Sequence, residues 1–128
     1  MIRGVCAVVV AVFVWFVVAT IGNLALRVMI PGYAEVERAM SFTLPMQIAR
    51  LALGLVSSLC AGAVCAAITR SKGLPVKVLA GIMVLLFLPV HYSLWAKFPV
   101  WYHAFFLITL APAVMLGAVY WQRRSDVR

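Results

Sequence analysis

His91 and His103 are the only histidines in the chain, and they stand symmetrically about Lys97 in the segment HYSLWAKFPVWYH, where Tyr92 also answers Tyr102. Neutral imidazole is a common ligand for transition metals and for haem. A pair at the two arms of a tight turn therefore raises the chemistry of a haem- or metal-bearing electron carrier. Two ligands do not complete a metal site, and no carboxylate or cysteine lies near them in sequence. A short hairpin also leaves little room for a haem between helices that pack about 8–10 Å apart. Tyr92, Trp95, Trp101 and Tyr102 surround the pair, and such amphipathic rings collect where a bilayer meets water. The reading expected from the residues is an interfacial belt with two histidines in it, no metal and no cofactor; His91 and His103 remain the weak metal candidates.

Other residues offer less chemistry. Gly54, Ser58, Gly62 and Ala66 recur every fourth position in LALGLVSSLCAGAVCAAI, the spacing of a small-residue face that lets two helix backbones approach closely. That face is expected to pack inside a bundle or against a second copy. Ser57 and Ser58 can bond back to helix carbonyls. Asn23 and Arg27 are four residues apart, so they share a helix face and form a possible polar contact. Cys6, Cys60 and Cys65 lie in apolar stretches without a CxxC pair, which reads as buried, inert thiols rather than a disulfide oxidase. No catalytic residues are expected.

The elements that must position these groups follow from composition. The chain is 66% hydrophobic and 11% charged, with mean hydropathy +1.12, whereas soluble domains are about 45–50% apolar and ~25% charged. Four windows carry no charge: Gly4–Leu26, Leu51–Thr69, Val78–Ala96 and Phe98–Gln122, of 23, 19, 19 and 25 residues. About 20 residues at 1.5 Å each cross ~30 Å of hydrocarbon. The expectation is an all-α polytopic membrane protein, a single domain 1–128 built as a four-helix transmembrane bundle. Its helices are expected over approximately 4–28, 48–69, 76–95 and 99–121, with an outer loop over 30–46. In that loop Tyr33, Val36 and Met40 share helical spacing, which fits a short amphipathic turn as well as a plain loop. The first window is longer than the core of a cleaved signal and lacks a convincing cleavage site, so it is expected to remain as a helix.

Arg3, Arg70, Lys72, Lys77, Arg123, Arg124 and Arg128 fall on one side of such a bundle, and Arg27, Arg38, Arg50 and Lys97 on the other. The positive-inside rule then places both termini in the cytoplasm. The net charge of +8 is accounted for by these flanking cations and by anionic lipid. Scattered between apolar runs, it forms no basic stripe for nucleic acid.

The phrases IGNLAL, SSLCAGAVCAAI and KFPVWYH give the chain a resemblance to the many small four-helix inner-membrane proteins of bacteria. That resemblance implies the fold and a multi-pass inner-membrane location, and carries over no catalytic residues. The small multidrug transporters share the length and helix number but depend on a glutamate in the first helix; none is present here. The function expected from the sequence is a non-enzymatic accessory or assembly module acting through helix–helix contacts, its partners the lipid bilayer and a second copy or another membrane protein. The alternatives are an oligomeric small-solute transporter or channel, lined by Asn23, Ser57, Ser58 and the prolines, and the histidine-based electron carrier.

Overall fold

The computed structural model describes residues 1–71 and 73–127, so Lys72 and Arg128, both counted in the charge bias above, lie outside the described residues. The described chain is all helical: α1 (Ile2–Met29), α2 (Tyr33–Ala39), α3 (Leu44–Thr69), α4 (Leu74–Ser93) and α5 (Val100–Val127). Four of them, α1, α3, α4 and α5, are long and apolar enough to cross a membrane.

Local chemistry sets the boundaries. Pro45 and Pro75 sit in the first turns of α3 and α4, where a missing N–H costs nothing. The α1–α2 connection is a turn over Ile30–Tyr33, closed by Tyr33 N–H donating to the Ile30 carbonyl at 3.2 Å. Pro31 fixes its second position, and Gly32, at φ +79°, takes the third, which requires a left-handed residue. Helix α2 ends with Met40 in the left-handed region and Ser41 N–H bonded to the Val36 carbonyl, a Schellman-type stop. Of the two readings of the outer loop, the short helical turn is the one found, over residues 33–39, and α3 begins four residues before the expected start. At the other end α5 runs beyond its expected end, carrying Arg124 and Gln122 in contacts with Tyr120 and Asp126 one turn away.

Helix α3 is the spine. It packs along α5 and α1, while α4 closes against α5 and more sparingly against α1. Gly62 abuts the Val114 backbone and Gly117 the Leu59 backbone, so α3 and α5 meet backbone to backbone. Toward the end bearing the chain termini, Ala7, Ala11, Cys65, Leu79, Met83 and Val114 form a continuous core. At the opposite end Tyr33, Phe42, Met46, Leu51, Phe98 and Tyr102 form a second, aromatic core beneath α2. The outer surface is apolar, with Val9, Phe13, Ile21, Leu85, Ile108 and Leu116 each at least 60% exposed. Exposed apolar area on that scale matches lipid rather than water.

Candidate functional site

A cleft of about 440 Å³ opens between α1 and α4 in the half of the bundle farthest from the termini. Its walls are Phe16, Ala19, Thr20 and Leu24 of α1, Phe87 and Val90 of α4 and Leu94 just past its end; α3 and α5 close it behind with Leu53, Gly54, Tyr102 and Phe106. Toward the termini it is stopped by Trp15, whose ring lies 4.6 Å from that of Phe87. The Trp15 indole N–H donates to Ser58 Oγ at 3.0 Å, and Ser58 in turn donates to the Gly54 carbonyl at 2.7 Å. Pro89 stands between the lining residues Phe87 and Val90 and cannot bond the Leu85 carbonyl, which loosens the helix where it faces the cleft.

The rim is polar and built by three elements. Glu37 of α2 reaches back over the end of α1: Asn23 Nδ2 donates to Oε2 at 2.7 Å, and Arg27 Nε donates to Oε1 at 2.8 Å. Arg50, in the second turn of α3, lies 3.6 Å from Glu37 Oε2 and donates to the Tyr33 hydroxyl at 2.9 Å. Tyr33, fully buried, donates from its hydroxyl to Asn23 Oδ1 at 3.0 Å. The Arg50 guanidinium also covers the Phe42 ring at 4.6 Å. Two cations against one carboxylate leave the rim with a positive excess. Burial works to raise the Glu37 pKa, but the hydrogen bonds from Asn23 and Arg27 and the charges of Arg27 and Arg50 outweigh it, so the carboxyl sits below its usual value.

The histidines lie in the aromatic core just behind this rim. His91 and His103 are 6% and 1% exposed and face each other, Nδ1 to Nδ1, at 2.7 Å. His103 stacks on Trp95 at 4.8 Å, and His91 lies 4.6 Å from Phe106. The two rings share a depth, as their symmetry about Lys97 implies, but they turn inward onto each other instead of standing in the surface layer of aromatic rings. The direct contact also leaves no space for iron between them: nitrogens on opposite faces of a haem iron must be roughly 4 Å apart for metal–nitrogen bonds of about 2 Å. Among the described residues no three His, Cys, Asp or Glu side chains converge as a metal site.

The remaining residues singled out from the sequence are placed as follows. Tyr92, Trp95 and Trp101 are 85%, 52% and 43% exposed, whereas Tyr102 is 5% exposed and belongs to the aromatic core, stacked on Phe98. Gly54, Ser58, Gly62 and Ala66 are all buried within the chain, Gly54 against Phe106 and Gly62 against α5. The small-residue face is thus consumed internally and is not free for a second copy. Ser57 and Ser58 bond the Leu53 and Gly54 carbonyls and do not line the cleft; Asn23 does. Arg27 binds Glu37, and Asn23 meets it through that shared carboxylate. Cys65 is buried, but Cys6 is exposed on α1, because its helix faces outward there.

Arg50, Glu37 and Tyr33 were not recognised as site residues from the sequence. A signal for Arg50 exists: it precedes Gly54 by four positions, so it caps the same helix face as the small-residue stripe. Glu37 is one of only two glutamates in the chain. Compared with known protein families, curated proteins and solved structures, the chain matches none.

Proposed function

We propose that the protein is a non-enzymatic, multi-pass protein of the bacterial inner membrane, with both termini in the cytoplasm, that holds an amphiphilic small molecule in the cleft between α1 and α4. The bias of Lys and Arg toward the terminal side supports the orientation, and the exposed apolar girdle supports the bilayer setting. The observation that carries the binding reading is the cleft itself: about 440 Å³, with a rim of Asn23, Arg27, Glu37 and Arg50 and walls of aromatic and aliphatic side chains. Small-molecule sites share this size and this pattern of a few placed polar groups on an apolar lining, at about 300–1,000 Å³. Its open side lies between two helices whose outer faces are apolar, so a ligand enters from lipid, tail last.

Purification in mild detergent followed by solvent extraction and mass spectrometry tests this. One amphiphile should accompany the wild-type protein in near-equal molar amount and be lost from Ala19→Phe, which fills the cleft from its α1 wall. Extracts of the two proteins that match, containing only bulk lipid, would overturn the reading.

A further inference from the structure

The contact between the two histidines sets where their protons lie. A hydrogen bond between imidazole nitrogens needs one N–H and one lone pair, so of two neutral rings one is protonated on Nδ1 and the other on Nε2. His103 Nε2 is buried and has no partner among the described residues. If His103 were the acceptor, that Nε2 would carry a buried proton with nothing to receive it, and orphaned buried N–H groups are the rarer kind. His103 is therefore the donor, and His91 carries its proton on Nε2. His91 lines the cleft and its Nδ1 is spent on His103; its Nε2–H is the donor left for a ligand.

A second uncommitted donor stands on another wall. Arg50 of α3 lines the same cleft, and its Nε is buried without an acceptor among the described residues. Both Glu37 oxygens are engaged by Asn23, Arg27 and Arg50, and Asn23 Oδ1 by Tyr33; the Tyr102 hydroxyl also lies beside the Arg50 guanidinium but does not satisfy Nε. The same cleft is lined by the rings of Trp15, Phe87 and Phe106, the last 5.1 Å from Phe87 and 6.4 Å from Trp15. The cleft asks for a flat body carrying acceptors at two places. We infer that the occupant, given the binding reading above, is a quinone-type amphiphile: a planar ring with two carbonyl oxygens, held by His91 and Arg50, whose apolar tail leaves between α1 and α4.

The test is an equilibrium titration of the detergent-solubilised protein with two probes, a benzoquinone bearing one decyl chain and n-decylbenzene, which has the ring and tail but no acceptor. Wild type should bind the quinone at least about tenfold more tightly, the worth of one hydrogen bond. In His91→Phe the quinone should lose about tenfold while n-decylbenzene binds as before, which also shows that the variant's cleft is intact. Equal affinity of the two probes for wild type overturns the quinone assignment and leaves the amphiphile cleft standing; failure of both probes to bind overturns both. Should His91→Phe not fold, the wild-type comparison decides alone.

Discussion

Replacing Gly62 by alanine tests the packing on which the cleft is built. A methyl group at Gly62 would collide with the Val114 carbonyl oxygen, and would lie 2.7 Å from its carbon and 3.1 Å from Val114 Cα. Non-bonded carbons rest at about 3.5–4.0 Å, so roughly 1 Å of separation is required. The obstructing atoms are backbone and cannot swing aside. The partner contact at Gly117, where an added methyl would lie 2.8 Å from the Leu59 carbonyl carbon, locks the same two helices one turn away, so α3 and α5 must part along their length. Overpacking of a tight core costs ~1–3 kcal/mol, and Gly62→Ala belongs at the upper end because two helices move rather than one side chain. Gly81→Ala is the control: a methyl there meets nothing within 4 Å, and no loss of stability is expected. Unfolding in mixed micelles of mild detergent and dodecyl sulfate, followed by circular dichroism, gives both values. Gly62→Ala within about 0.5 kcal/mol of wild type would refute the interlock. So would an intact monomer that has lost only a dimer, since the stripe would then face a second copy.

Three further outcomes follow from the rim and from Trp15. Tyr33→Phe removes the hydroxyl that joins Asn23 to Arg50 and should cost about 1–2 kcal/mol in the same assay; an unchanged midpoint would contradict the network. A double-mutant cycle of Trp15→Phe with Ser58→Ala should show coupling of about 0.5–1.5 kcal/mol for the buried indole–hydroxyl bond, and strict additivity would deny that bond. Glu37, held below its usual pKa of about 4.5, contributes stability that is complete above that pH and fades as pH falls through the lowered folded value. Hydrogen exchange over residues 33–39 should thus stay slow from neutral pH to about 4.5 after correction for intrinsic rates, and quicken below. Loosening already near pH 6, or no effect of Glu37→Gln at pH 7, would contradict the docking of α2 through this carboxylate.

The long helices were legible because a charge-free run of about 20 residues has few other uses, and Arg3, Arg27, Arg50 and Arg70 bracket the first two windows closely. Ends were less legible. The α5 extension past Gln122 rests on polar contacts within one turn, which hydropathy does not register, and the start of α3 depends on Pro45 taking a first-turn position rather than ending a loop. Helical spacing put Tyr33, Val36 and Met40 on one face, but not the target of that face, because the target is tertiary: Tyr33 is buried by Asn23 from α1 and Arg50 from α3. Arg50 read as a boundary charge for the same reason. Symmetry about Lys97 gave the histidines a common depth, while the rotation of α4 and α5 that turns both rings inward is set by packing around Phe87 and Phe106.

The most direct test of the cleft as a binding site is the fluorescence of Trp15, which forms its inner stop, in a variant with Trp95, Trp101 and Trp121 replaced by phenylalanine. Amphiphiles with a brominated chain quench indoles on contact. Titration into bilayers holding this variant should give saturable quenching that reaches its plateau near one probe per protein, and Ala19→Phe should abolish the saturable part. Quenching that rises only in proportion to the probe's share of the lipid, equally in both proteins, would mean that Trp15 meets bulk bilayer and that the cleft holds nothing of its own.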